Sequence, residues 1–240
     1  MSAPWGRPGP GQNRLLAMLP PASCEQLLAR AVRVPLEFPK VLVAYGEPVE
    51  HAYFPLSGVL SLLVVLQGGD GTEAASIGFE GMIGTSVVLG GDTSPHEVIV
   101  QVSGEAWRVP AGALRELLRR DEALRAVLLR YAQVLIVQTS RNTACNTRHE
   151  MEERLARWLL HIHDWIREDH LSLTQEFIAS ILGARRATVT IAAGVLARAG
   201  LIAYRRGEIT ILDRQGLEEV ACEDYAVVRE ALEQLLPLPT

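Results

Sequence analysis

The sequence predicts an α+β chain with an N-terminal, jelly-roll-like β roll, a long dimerisation helix and a C-terminal winged helix-turn-helix. Three observations carry that prediction. Between about 33 and 110, short Val/Leu/Ile runs alternate with Gly and Pro: VLVAYGEP, YFPLSG, VLSLLVVLQGGDG, EVIVQV and EAWRVP. Evenly spaced apolar runs broken by turn residues favour a small sandwich or roll. From 111 to 145 the apolar residues recur with a helical period. From 171 to 212 two short apolar helices, separated by one glycine, lead into an alternating hairpin pattern. The expected domains are a flexible lead-in (1–13), a roll (14–110), linking and dimerisation helices (111–147) and a winged helix (148–240).

Composition narrows the function classes. The 240 residues suffice for two modest domains, and 48% hydrophobic with 21% charged residues is ordinary for a packed core. A formal net charge of −5 excludes binding nucleic acid through overall charge, so any DNA contact rests on a local patch. Lys40 is the only lysine, and the preference for Arg reads as coding bias. Cys24, Cys145 and Cys222 are far apart with no CxxC pair, which predicts neither a disulfide framework nor a metal or iron–sulfur site. No cofactor is expected. Free thiols fit a reducing cytoplasm, and no apolar run approaches the ~20 residues of a membrane span. The Pro- and Gly-rich N-terminus lacks the apolar segment of a signal peptide. P-loop, GxSxG, HExxH and Rossmann patterns are absent, so an enzyme is not expected.

Along the chain, 14–31 reads as short helical pieces: Leu15, Leu16 and Leu19, a Pro20-Pro21 break, then a helix capped by Ser23 that carries Leu27 and Leu28. Gly68-Gly69-Asp70-Gly71 reads as a hairpin tip. Leu124, Leu128, Tyr131, Leu135, Gln138, Asn142 and Cys145 recur at alternating steps of four and three, a heptad seam that becomes polar toward its end. Such a seam packs either on its own domain or on its twin in a dimer. The twin is favoured because the run is long and follows a domain able to close its own core. Oxidation of Cys145 across that dimer is weighed against a role as a small buried apolar residue, and the second carries more. A following helix, about 148–168, turns Leu155, Trp158, Leu159, Ile162 and Ile166 to one face and belongs to the core of the last domain. His161 and His163 lie two apart and point in different directions on a helix, so with His149 and His170 they read as surface or half-buried side chains rather than metal ligands. His51 and His96 are set aside as haem ligands.

The stretch LSLTQEFIASILGARRATVTIAAGVLARAGLIAYRRGEITIL is the most informative. Thr174 can cap a helix ending at Leu182, with Ile178, Ile181 and Leu182 inward, and Gly183 supplies a tight turn. A second helix runs from about Arg185 to Ala199 and stops at Gly200, with Val189, Ala193 and Leu196 inward. Ala179 and Ala193 are small enough for a close crossing. Ile202–Arg205 and Glu208–Leu212 alternate about Arg206-Gly207, a hairpin where a wing belongs. The candidate DNA-binding residues are Thr174, Gln175, Arg185, Arg186, Thr188, Thr190, Arg205 and Arg206. Arg can donate two bonds to guanine, Thr can bond phosphate or meet a thymine methyl, and helix N-termini favour phosphate. Five arginines face two glutamates within 171–212, a positive patch in a negative chain. The alternative is a roll that binds ligand or protein, with a winged helix that contacts protein instead of double-stranded DNA.

On these residues the chain resembles the Crp/Fnr family of bacterial regulators. LTQEFIASILGARRATVTIAAGVLARAGLI is similar to that family's helix-turn-helix, and Gly46-Glu47, Tyr53-Phe54-Pro55-Leu56-Ser57-Gly58 and Gly81-Met82-Ile83-Gly84 to its cyclic-nucleotide-binding roll. The resemblance implies a homodimer that reads a two-fold DNA site and contacts RNA polymerase. Two departures stand out. Ala187 and Ile191 occupy positions where the family commonly reads bases with Glu and Arg. Met82 stands where cyclic-AMP binders hold the ribose with Glu, and the phosphate position falls near Ser94-Pro95. No arginine occurs between Arg33 and Arg108, and Lys40 is the only strong cation there. A buried phosphate needs a paired cation or a nest of donors. The candidate effector pocket, Gly81, Met82, Ile83, Gly84 and Ser94, is therefore expected to answer to an unknown small molecule rather than cyclic AMP, with the seam through Asn142 transmitting the signal.

Overall fold

A computed structural model of the chain describes residues 12–68, 71–205 and 207–238. Most of the expected lead-in, Gly69-Asp70 of the hairpin tip and Arg206 lie outside the described residues. The end of that lead-in is not loose. Asn13 is buried, caps α1 (Arg14–Ala17) by accepting from the Leu15 and Leu16 amides, and donates to the Pro55 and Gly81 carbonyls at 3.0 and 2.8 Å. In α2 (Pro21–Leu28), Pro20 takes the N-cap position expected of Ser23, because a proline at N1 has no amide to satisfy and its φ is already helical.

The roll consists of β1 (Val32–Leu36), β2 (Val41–Val43), β3 (His51–Val65), β4 (Gly71–Ile77), the short helix α3 (Thr85–Val88) and β5 (Glu97–Pro110). The sheet order is β1-β5-β3-β4, with β2 also on β5, and the paired strands run antiparallel. Where the sequence suggested four short strands there are two long ones, β3 and β5. Gly58 and Gly104 are not turns but the point where these strands approach too closely for side chains. A Cβ on Gly58 would lie 2.5 Å from the Val102 carbonyl oxygen, and one on Gly104 2.3 Å from that of Ser57. The register shifts around Ser57 and Val59, so the glycines mark bulges that bend one continuous ribbon into a roll.

Asp121 separates α4 (Ala111–Arg120) from α5 (Glu122–Arg148) by accepting the Leu124 amide at 2.9 Å as an N-cap. The seam expected to meet a twin packs on its own roll instead. Leu124, Leu128, Tyr131, Gln138, Asn142 and Cys145 are all buried within the chain, and Leu135 is half-buried. The polar half of the seam explains the choice. β4 is an edge strand, and edge carbonyls need partners. Gln138 donates to the Ser76 carbonyl at 3.0 Å and Asn142 to that of Ala74 at 2.8 Å.

α6 (Met151–Ile166) opens with a capping box between Glu150 and Glu153. Leu155, Trp158, Leu159 and Ile162 are buried as expected, but so are Leu160 and Trp165, while Ile166 is only half-buried. The helix therefore lacks the single inner face read from the sequence. Trp165 lies against Gly78 of the roll, where a Cβ would come within 2.4 Å of the indole. Beyond α6 the C-terminal unit comprises β6 (His170–Ser172), α7 (Gln175–Ile181), α8 (Arg186–Arg198), β7 (Ile202–Arg205), β8 (Glu208–Ile211) and α9 (Arg214–Val220), and α6 packs on α8 and α9 as well as on β3 of the roll. The small sheet runs β6-β8-β7. Finally α10 (Asp224–Leu235) returns to pack on α5, and buried Arg14 donates to the Leu236 carbonyl through Nε at 3.0 Å and Nη2 at 2.6 Å.

Candidate DNA-binding surface and effector pocket

Thr174 caps α7 by accepting the Phe177 amide at 3.2 Å. Gly183 makes the turn at φ +58, and α7 and α8 meet at 107°, inside the range of helix-turn-helix pairs. Ile178, Ile181, Leu182, Val189, Ala193 and Leu196 are buried, and Arg154 of α6 donates to the Leu182 carbonyl. That inward face leaves Arg185, Arg186, Ala187, Thr188, Thr190 and Ile191 exposed together. The Thr190 hydroxyl shares its one proton between the Gln175 side-chain oxygen at 2.7 Å and the Arg186 carbonyl at 2.9 Å, which fixes the start of α7 against the first turns of α8. Arg185 occupies the N-cap of α8 and no side chain caps that helix. Its first-turn donors thus face outward beside two guanidinium groups. On the wing, exposed Arg205 pairs in register with Glu208, which accepts from Ser172 at 2.6 Å.

A cavity of about 400 Å³ lies between the roll and α5. Met82, Ile83, Gly84 and Ser94 line it, as the sequence suggested. Gly81 does not, because Tyr131 covers it: a Cβ there would sit 2.2 Å from the phenol oxygen. Leu135, Ile136 and Thr139 of α5 complete one wall. Among the described residues no Arg, Lys, Asp or Glu lines the cavity, and His96, the one titratable group among them there, is held below the usual histidine value by burial. The sequence reading missed the opposite face of α5. There Ala126, Leu129, Gln133, Ile136, Ser140 and Thr143 are exposed at alternating steps of three and four, with Leu129 43% and Ile136 60% accessible. This second heptad was visible beside the first, but three of its six positions are polar and it did not register as a seam.

The histidines follow their helical spacing. His161 is not the surface or half-buried side chain expected but is buried and stacked on Trp165 inside the core, whereas half-buried His163 meets Asp169 at 2.8 Å and Arg214 at 2.5 Å. The cysteines do not stay apart. Cys145 and Cys222, distant in sequence, bring their sulfurs to 3.4 Å. Local spacing held no signal for this, since the pair forms only when α10 folds back on α5.

Comparison with known proteins agrees with this geometry. Residues 36–121 match the cyclic nucleotide-binding domain and residues 153–220 the Crp-like helix-turn-helix domain. A sensor-type roll carried on a helix-turn-helix defines a DNA-binding transcription regulator, a class of regulators rather than enzymes. The chain belongs to the Crp/Fnr family. Global nitrogen regulators are among its relatives. The protein of that name from Nostoc sp. is 26% identical over 72% of this chain and 81% of its own, and that from Synechococcus elongatus 25% over 75% and 85%. Among solved structures, FixK2 from Bradyrhizobium japonicum shares the fold with a TM-score of 0.68 at 18% identity, covering 80% of this chain and 98% of that one. A CRP/FNR-family regulator from Thermus thermophilus has a TM-score of 0.64 at 24% identity, covering 79% and 98%. No single helix among the described residues is long and apolar enough to cross a membrane.

Proposed function

We propose that the chain acts in the cytoplasm as a homodimer that reads a two-fold DNA site with the first turns of α8. The carrying observation is the open, exposed N-terminus of α8 with Arg185 and Arg186 beside it. Thr188 and the Gln175–Thr190 pair flank these arginines, and Tyr204 and Gly207 of the wing line one recess with Thr174, Gln175 and Arg186, which supports a role for the neighbouring exposed Arg205; Arg206 lies outside the described residues. Exposed Ile191, 66% accessible, offers apolar contact to a thymine methyl. The second heptad of α5 supplies the dimer face in place of the Leu124–Asn142 seam, which the roll already covers. The division into roll (14–110), helices (111–147) and winged helix (148–240) assigns sensing, pairing and reading to successive parts. The family resemblance supports RNA polymerase as a further partner.

The effector belongs in the cavity beside α5. Ile136 lines that cavity and is also exposed on the dimer face, so a ligand there touches the pairing helix directly. A cyclic nucleotide would bury its phosphate without a cation, which costs several kcal/mol on the scale of unpaired buried charge. Calorimetry with cyclic AMP is therefore expected to show no saturable heat, and tight binding would overturn that reading. The broader function is tested by selecting duplexes from a random pool with purified protein, with and without cell extract. Enrichment of an inverted repeat with half-sites about one helical turn apart supports it. A folded dimer that enriches nothing in either condition contradicts it.

A further inference from the structure

Cys145 and His149 close the C-terminal end of α5, one helical turn apart on the same face. Cys222 and Asp224 sit where α9 gives way to α10. The folding of α10 onto α5 brings all four together, with one ligand-type atom from each within 4.8 Å of the others. The sulfurs are 3.4 Å apart, Cys222 Sγ lies 3.9 Å from Asp224 Oδ2, and His149 Nδ1 lies 3.6 Å from the same oxygen. A tetrahedral zinc with bonds of about 2.0–2.3 Å needs ligand–ligand edges of roughly 3.3–3.8 Å. Small side-chain rotations close these distances onto such a site.

The surroundings are those of a closed metal site. Cys145, Cys222 and Asp224 are buried, and His149 Nδ1 is buried facing them. The outward nitrogen of His149 lies 3.2 Å from the Glu223 carboxylate, the arrangement that holds a ligating imidazole in the required tautomer. The second oxygen of Asp224 meets Arg141 at 3.5 Å. Two thiolates, a carboxylate and a divalent ion sum to −1, and the Arg157 guanidinium close to both sulfurs offsets that charge.

We propose that Cys145, His149, Cys222 and Asp224 bind one thiophilic divalent cation, zinc by ligand type, as a structural staple between the end of α5 and the junction of α9 with α10. Four protein ligands leave no open position, so the site is structural rather than catalytic. It does not depend on the DNA-reading proposal, and it revises the expectation of a metal-free chain drawn from cysteine spacing.

The test uses the full-length protein, purified under reducing conditions. Elemental analysis is expected to find one zinc per chain, and chelation to lower the melting temperature, restored by zinc alone. Titration of the chelated protein with Co²⁺ is expected to give the near-ultraviolet sulfur charge-transfer band and the intense visible bands of tetrahedral coordination. The variants C222S and H149A are expected to weaken Co²⁺ binding by 100-fold or more while circular dichroism shows helix retained. Should C222S not fold, H149A and the wild-type spectrum decide. Metal-free protein that gives no thiolate band with Co²⁺ overturns the proposal. So does a Cys145–Cys222 disulfide found by mass spectrometry under the reducing preparation.

Discussion

Glu80 sits almost wholly buried, with its carboxylate accepting the Gly78 amide at 3.0 and 3.1 Å. Burial pushes its pKa from 4.5 up to about 7 despite those bonds and the nearby Arg14 charge. The folded state therefore holds this proton more tightly than the unfolded chain does. The Glu80 share of stability is full below pH 4.5, falls as pH rises through about 7, and reaches a deficit of about 3 kcal/mol above it. Glu80→Gln should match the wild type in urea unfolding at pH 4.5 and exceed it at pH 8; parallel pH profiles would contradict this. Asn142 has the opposite character, since every bond it makes is satisfied. It donates to the Ala74 carbonyl at 2.8 Å and accepts from Arg157 at 2.7 Å, joining roll, α5 and α6. Asn142→Ala strands a buried donor and an edge carbonyl, and should cost about 1–3 kcal/mol by the same assay. Loss of less than half a kcal/mol would show the junction is not tight. Asn142 was legible as a seam residue; its partners were not, because the seam's period is the same whichever surface receives it.

The helix α5 shows how far a pattern can be read. Its two heptads are offset by two residues, so one face buries Leu124, Leu128 and Tyr131 and the other exposes Leu129 and Ile136. Apolarity alone favours the first as an interface. The edge of β4 decides otherwise, because an unsatisfied sheet edge lies within reach of Gln138 and Asn142. Leu129 lies outside the effector cavity, so Leu129→Glu tests pairing without altering the pocket. It should raise the dimer dissociation constant tenfold or more in analytical ultracentrifugation and leave the monomer folded. An unchanged dimer would place the interface elsewhere. In the roll, Gly58 and Gly104 look like turn glycines in sequence, yet a glycine at a bulge and a glycine at a turn leave the same local signature. In the helix-turn-helix the inward residues, the Thr174 cap and the Gly183 turn all follow from local spacing, and that part was read nearly residue by residue.

The roll and the C-terminal unit are in direct contact, β4 with α7 and β3 with α6. Thr72 of β4 donates to the Ile181 carbonyl at 3.3 Å and backs onto Gly183, while Phe38 meets Phe177 edge-on at 5.7 Å. The turn of the helix-turn-helix thus rests on the same strand that α5 covers, so the proposed effector cavity, pairing face and DNA surface share one framework. Sequence showed these parts in order but not their contacts, which join residues more than a hundred positions apart. The Cys145–Cys222 junction, 77 positions apart, was hidden in the same way. The proposed DNA-reading surface is local in both sequence and space: positive charge gathered at one helix end within a chain of net charge −5. The most direct measurement is equilibrium binding to a selected operator across a salt series, for the wild type and for Arg185→Ala/Arg186→Ala. The expected result is affinity falling steeply with salt, about 0.9 log unit per log unit for each phosphate contact, and loss of specific binding in the double variant with its melting temperature unchanged. Specific, salt-steep binding that survives removal of both arginines would contradict α8 as the reading helix.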